Sequence, residues 1–312
     1  MSTKLKIAAA VAAAVLLSAC SSPKHEPMPL VKFTPSMEVT EVWSKGLSSA
    51  EGFLVPAVYD DMVFAAGGKT LTRLNARTGE TEWSVSFNSP ITGGVGSDGY
   101  VTAVGLWDGN LEVVDAEGKV SWEKKLTTEL ASPPVVSHGL VIARTMDTRV
   151  SAFEASSGEL QWTYQRSQPA LTVRLPTRML AHDNFLLVGQ PNGHIVILDI
   201  ASGKPMFEFQ VAQAKGVTEV ERLVDVVGAP AFSDNLVCAA AFQGAVTCVD
   251  STNGQTRWTQ KIDAVAGPAI DEDNVYAVSV NGEVQAFYRE SGEQRWSNKT
   301  MLYLSLIHIS EP

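Results

Sequence analysis

Residues 140–164 read LVIARTMDTRVSAFEASSGELQWTY. The runs LVIAR, VSAFEA and LQWTYQ are rich in β-branched and aromatic residues, which fit a pleated, half-buried surface. His138-Gly139 precedes the first run, Asp147-Thr148 separates it from the second, and Ser157-Gly158 separates the second from the third. Turns of this kind favour tight hairpins because Gly, Asn and Asp tolerate positive φ. Three turns predict four short antiparallel strands, with Trp162 on the last of them.

Outward from this stretch the same unit recurs. A glycine followed four residues later by an aromatic appears at Gly79/Trp83, Gly118/Trp122, Gly158/Trp162, Gly203/Phe207, Gly254/Trp258 and Gly292/Trp296, with glycine spacings of 39, 40, 45, 51 and 38 residues. Each unit carries its own first turn (Asp60-Asp61, Asp98-Gly99, Asp183-Asn184, Asp234-Asn235 and Asp273-Asn274 in the others). Four strands in about 40 residues, repeated, are the signature of a β-propeller blade. The expected fold is therefore all-β, a propeller of six complete four-stranded blades, with no convincing helix after residue 20. A large aromatic in the same slot of every blade is expected to fill the space to the next blade. Glu38 to Gly46, with Trp43 aligned on Trp83, reads as the outer strand of one further blade whose other strands do not precede it. Propellers close such a blade with strands from the C-terminus, which removes the sheet edge. Only 16 residues follow Trp296, ending LYLSLIHISEP without blade turns. The expectation is that residues 38–300 form an incomplete propeller and that residues 301–312 are a non-native or misread tail.

The N-terminus reads as an address. Residues 1–20, MSTKLKIAAAVAAAVLLSAC, hold a basic start at Lys4 and Lys6, an apolar run from Ile7 to Leu17, and Leu17-Ser18-Ala19-Cys20. This pattern resembles a bacterial lipoprotein signal, in which residues 1–19 are removed and Cys20 is acylated with chains such as palmitate. Ser21, rather than Asp, after the cysteine implies sorting to the outer membrane, on its periplasmic face. Residues 20–37 hold many prolines and read as the anchor and a flexible tether. The chain carries 24 basic and 34 acidic side chains, a formal charge of −10, and the leader removes two of the basic ones. An acidic chain without a basic block is not expected to bind nucleic acid. One apolar stretch at the N-terminus excludes a polytopic helical membrane protein.

Catalytic chemistry is missing from the pattern. His25, His138, His182, His194 and His308 form no metal-ligand or nucleophile–base spacing, and neither a nucleophile elbow nor a phosphate loop occurs. No enzyme activity, metal or cofactor is expected. Cys238 and Cys248 flank the Gln243-Gly244 turn almost symmetrically and face either a disulfide or reduced packing. Reduced packing is the favoured expectation, because Ile142 and Ala152 fill similar slots two blades earlier and a bridge demands close Cβ atoms.

The two widest repeat spacings mark long connections, at 166–178 and 210–228, each leading from an outer strand to the inner strand of the next blade. They are expected on one face of the disc, and long insertions on one face of a repeat protein commonly bind. The first holds Leu171, Val173 and Arg174; the second holds Glu219, Glu221, Arg222, Leu223 and Asp225. Arginine beside aliphatic residues is a typical interface anchor. The alternative is that Arg174, Arg222 and Asp225 pair with one another and stiffen the loops.

With its lipoprotein signal, its blades such as Ala155-Ser156-Ser157-Gly158-Glu159-Leu160-Gln161-Trp162, and the segment Thr218-Glu219-Val220-Glu221-Arg222-Leu223-Val224-Asp225-Val226, the chain resembles the BamB family, the propeller lipoproteins of the outer-membrane β-barrel assembly machinery. The blade pattern is shared with the wider PQQ-like repeat superfamily; the 218–226 segment is the more specific match. The resemblance implies eight blades in the intact fold and a non-catalytic scaffold role in membrane insertion of β-barrel proteins. It implies a partner, the periplasmic POTRA domains of the core barrel subunit, met by Leu171, Val173 and Arg174 and by an acidic loop at Asp225. Val227 stands where the family's second Asp would be, which puts that acidic contact in question. Unfolded outer-membrane proteins are a further implied partner, by strand addition. The alternative reading is a periplasmic quinoprotein or ligand-sensing propeller. Against it, the adjacent cysteine pair of many such enzymes and an obvious calcium-ligand set are absent from the sequence.

Overall fold

The computed structural model describes residues 38–48, 54–167, 171–173, 175 and 177–300. The leader, Cys20 and its tether, Pro169, Arg174 and the 301–312 tail lie outside them. Among the described residues, 24 strands form six antiparallel four-stranded sheets, and no helix occurs. Each sheet is a sequential meander. Blade one runs from Ala57 to Ser86, blade two from Ile91 to Lys125, blade three from Val135 to Tyr164, blade four from Leu180 to Gln210, blade five from Val226 to Ile262 and blade six from Ala269 to Asn298. The first strands of successive blades pack on one another, so they lie innermost. The fold is a β-propeller.

Local chemistry explains the meander. Asp60, His138, Asp183 and Asp234 adopt φ between 46° and 55° at the first turn of their blades, and Thr148, Asn192 and Gln243 adopt φ between 49° and 65° at the second. Two-residue hairpins need positive φ to match strand twist, which is why these positions read as turns. Second strands are apolar almost throughout, and third strands are mostly buried. Leu140–Arg144 is buried at every residue, while the outer strand Thr81–Ser86 alternates between exposed and half-buried. Inner strands are covered by a blade on either side; outer strands face water on one side.

One feature escapes periodicity. In every blade the ladder between the third and outer strands slips by a residue, and the extra residue of the outer strand stands just before the slot aromatic. Ala152 faces Trp162 and Phe153 faces Leu160, leaving Gln161 unpaired; Ile197 faces Phe207 and Leu198 faces Pro205, leaving Met206 unpaired. A β-bulge re-aims the following side chain. Here it turns the aromatic toward the next blade. Trp83 donates from its indole N–H to Ala116 O at 2.9 Å, Trp122 to Ala155 O at 2.8 Å, Trp162 to Ile200 O at 2.8 Å and Trp258 to Arg289 O at 2.8 Å. Each acceptor belongs to the following blade, so the ring fills apolar space while its polar edge is satisfied. Phe207 stacks on Gly254 without such a donor, and Trp296 is 42% exposed.

Two expectations need correction. Residues 38–48 carry no strand, although Trp43 docks on blade one through a 2.9 Å bond to Ala76 O. A strand exists only with a ladder partner, and none stands beside this segment among the described residues. Cys238 and Cys248 are joined by a disulfide, not reduced. They are direct cross-strand partners, with Cα atoms 4.1 Å apart. That register brings the Cβ atoms within bonding reach, which Ile142 and Ala152 in blade three never test.

Candidate functional site

Both long connections leave an outer strand and enter an inner strand, so they emerge at the same end of the blades. The structure joins them. Asp225 Oδ2 accepts the Val173 backbone N–H at 2.5 Å, and Oδ1 accepts that of Asn192 at 3.2 Å. Asp225 O also accepts Phe242 N–H at 2.9 Å. Thr177 pairs in parallel with Gly228, whose carbonyl takes the Arg178 N–H at 3.0 Å. One carboxylate thus holds together the first connection, the second turn of blade four and the entry to blade five.

Asp225 itself lies beneath the exposed surface of the loops. It is only 6% exposed. Burial pushes its carboxyl above the usual range, against the two backbone N–H groups and the Arg144 charge, which pull it down. In this geometry its carboxylate holds the two connections in place. Val227 is buried beside Cys238 and Cys248 in the core shared by blades five and six. An aspartate there would meet an apolar wall, which accounts for the valine.

The second connection is built around a reciprocal turn. Glu221 accepts the N–H groups of Val217 and Thr218 at 2.8 and 3.0 Å, and its own N–H donates to Thr218 Oγ1 at 3.3 Å. This is capping-box chemistry without a helix to cap, and those bonds hold the Glu221 carboxyl below its usual range. The turn pushes Val217 and Val220 outward, 92% and 59% exposed. Sequence reasoning missed both; the signal was the Thr218-x-x-Glu221 spacing, which leaves the intervening apolar residue no inward face. Arg222 pairs with Glu219 at 3.8 Å and donates to Gly216 O at 3.2 Å. The alternative pairing of Arg222 with Asp225 is not made: Asp225 instead accepts the Val173 and Asn192 N–H groups.

Leu171 from the first connection and Glu219, Arg222 and Leu223 from the second line one open groove of about 320 Å³. Leu171 is exposed, whereas Val173 and Leu223 are half-buried supports. The groove therefore offers exposed Leu171 beside an exposed Glu219–Arg222 pair, and the second connection exposes Val217 and Val220 as well. Its chemistry suits a protein surface: modest apolar patches with a polar rim. Among the described residues, no group of three or more His, Cys, Asp or Glu side chains could hold a metal ion.

Comparison with known proteins agrees with this architecture. A family profile described as "Outer membrane protein assembly factor BamB" matches residues 67–298. The protein of that name from Burkholderia pseudomallei is 38% identical over 256 residues, which is 80% of this chain and 67% of the relative. Its Bordetella pertussis counterpart is 34% identical over 252 residues, 78% of this chain and 65% of the relative. The crystal structure of BamB from Moraxella catarrhalis, 29% identical, matches with a TM-score of 0.75 over 80% of this chain and 76% of that one. The chain spans about two thirds of the length of these two curated relatives. With a profile running from the first blade through the last and relatives above 30% identity aligned over most of its length, the chain belongs to the BamB family of outer membrane protein assembly factors.

Proposed function

We propose that the chain is a non-catalytic scaffold in the assembly of outer-membrane proteins. Cys20 anchors it by acyl chains to the periplasmic face of the outer membrane, and the propeller docks another protein on the face formed by its two long connections. The observation that carries the docking half is the meeting of exposed Leu171 with the Glu219–Arg222 pair in one groove, on a connection that also exposes Val217 and Val220. Monomeric surfaces seldom gather apolar side chains around a charged pair without a use for them. The partner is the periplasmic POTRA repeats of the core barrel subunit, the class that family resemblance implies. Rim charges there would set the orientation of docking, while the aliphatic residues supply burial.

The test is affinity of the purified chain for those periplasmic domains. Leu171→Asp and Arg174→Glu, each checked for an unchanged melting curve, are expected to weaken binding at least tenfold, about 1.4 kcal/mol. Wild-type affinity in both variants would remove this face as the interface. The anchor is tested separately: Cys20→Ala should release the chain from membranes into the periplasmic fraction. A chain that stays bound without Cys20 would refute acylation as the tether.

A further inference from the structure

Next to the two connections, with Val173 and Asp225 in its wall, lies a cavity of about 210 Å³. Its wall includes Arg144, Gln190, Ser132, Val173 and Asp225. Arg144 ends the second strand of blade three, and Gln190 ends that of blade four. At the register of Arg144, two residues past the one aligned through the third strand with the slot aromatic, the other blades carry Ala66, Gly105, Gly189, Ala240 and Val278. Arg144 alone breaks this small or apolar position, and Gln190, one step further along the same strand of the next blade, lines the same cavity.

Arg144 is 5% exposed. Among the described residues its guanidinium makes one hydrogen bond, from Nη1 to Thr177 Oγ1 at 3.2 Å, and its Nε–H has no partner. Asp225 contributes opposite charge at a distance, but its two oxygens already accept the N–H groups of Val173 and Asn192. Gln190 Nε2 and Ser132 Oγ are likewise buried without partners among the described residues. A buried guanidinium without a hydrogen-bonded counter-charge is costly, and so are unpaired amide and hydroxyl groups beside it. Burial accordingly pulls Arg144 down to about 10. The groups left over are donors, and the complement they lack is an acceptor bearing negative charge.

We propose that this cavity is a carboxylate-binding site in which Arg144 supplies the counter-charge and Gln190 and Ser132 supply further hydrogen bonds. The guanidinium fork matches a carboxylate's two oxygens. The volume admits a group of a few heavy atoms and falls below the clefts, roughly 300 Å³ and upward, that hold cofactor-sized ligands. The carboxylate comes from a free small acid or from an acidic side chain of the docked protein, entering past Val173. The second source rests on the docking function proposed above.

The probe is sodium acetate titrated into the full chain, read by the ¹⁵N resonance of the Arg144 Nε–H. A saturable shift is expected with acetate and not with sodium chloride at equal ionic strength. Arg144→Lys keeps the charge without the fork and should weaken acetate at least tenfold. Ser132→Ala, the milder change, should weaken it severalfold with an unchanged melting curve. The absence of a saturable shift, or acetate affinity unaltered in both variants, would overturn the site and leave the cavity to water. A second titration separates the sources once acetate binds. If acetate raises the Kd for the periplasmic domains of the core subunit, their side chain occupies the site; if that Kd is unchanged, the ligand is a free acid. Failure of the wild-type chain to bind those domains without acetate would count against docking alone, because the acetate titration does not need them.

Discussion

Trp83 of blade one lies flat against Gly118 of blade two: a Cβ built on that glycine would stand 2.8 Å from the indole Cδ2. The same glycine has φ of +80°. Two demands, a left-handed backbone and room for a ring, meet at one residue. Gly139 separates them, since its φ is +72° with nothing within 4 Å of the added Cβ. Gly139→Ala should cost about 1 kcal/mol, the backbone penalty alone. Gly118→Ala should cost at least ~1 kcal/mol more, because the indole must retreat and its bond to Ala116 stretches. Urea unfolding of the two variants checks this, and equal losses would mean that the indole contact contributes little.

The disulfide yields a second expectation. Cys238 and Cys248 are fully buried and enclose a short hairpin. Mass measurement after alkylation of the unreduced, denatured protein should show both thiols blocked. The double variant Cys238→Ala/Cys248→Ala should lose roughly 2–3 kcal/mol, the loop-closure value for a bridge of this span, moderated by alanine fitting an apolar core. Free thiols in the protein purified under oxidising conditions would contradict the bridge.

How far the sequence carried the reading follows from what each feature depends on. Blades, turns and the Trp slot were legible because hairpin chemistry is local: Asp183-Asn184 states its turn within two residues. The bulge before each aromatic was not, since a one-residue slip such as that at Gln161 leaves the alternation of the flanking runs almost intact. The cysteine pairing depended on cross-strand register, and the slot comparison with Ile142 and Ala152 said nothing about bonding. In the loops, the sequence placed the two long connections on one face but could not rank their residues by exposure. Asp225 and Leu171 look equally available in one dimension; in three, one is buried as a clasp and the other stands out.

Glu112 predicts an inverted pH dependence. It sits opposite Glu123 in blade two and is only 7% exposed. Burial first, then the charges of Glu123 and Asp108, raise it from about 4.5 to about 7. Between those values the folded chain keeps a proton that the unfolded chain has released. Stability from this group is therefore full below about 4.5, declines as pH rises and is gone above about 7. Discounted for solvent screening of its neighbours, the effect is about 1 kcal/mol. Glu112→Gln should flatten that decline and be the more stable protein at pH 8. Melting temperatures of wild type and Glu112→Gln that change by the same amount between pH 5 and pH 8 would refute it.

Asp225 separates positioning from contact. Asp225→Ala strips Val173 N–H and Asn192 N–H of their acceptor in a buried setting, and each unsatisfied donor costs about 1–3 kcal/mol. Water entering the gap recovers part of this, so a loss of ~2–3 kcal/mol is expected. Hydrogen exchange should accelerate at 171–175 and 190–193, and docking should weaken because Leu171 is no longer held. Asp225→Asn retains one carbonyl acceptor and sheds the buried charge, so it should lie between alanine and wild type. Leu171→Ala, in contrast, removes an exposed side chain: stability should stay within about 0.5 kcal/mol while docking falls. If Asp225→Ala leaves exchange at 171–175 unchanged but still abolishes docking, the carboxylate touches the partner directly and the clasp assignment is wrong.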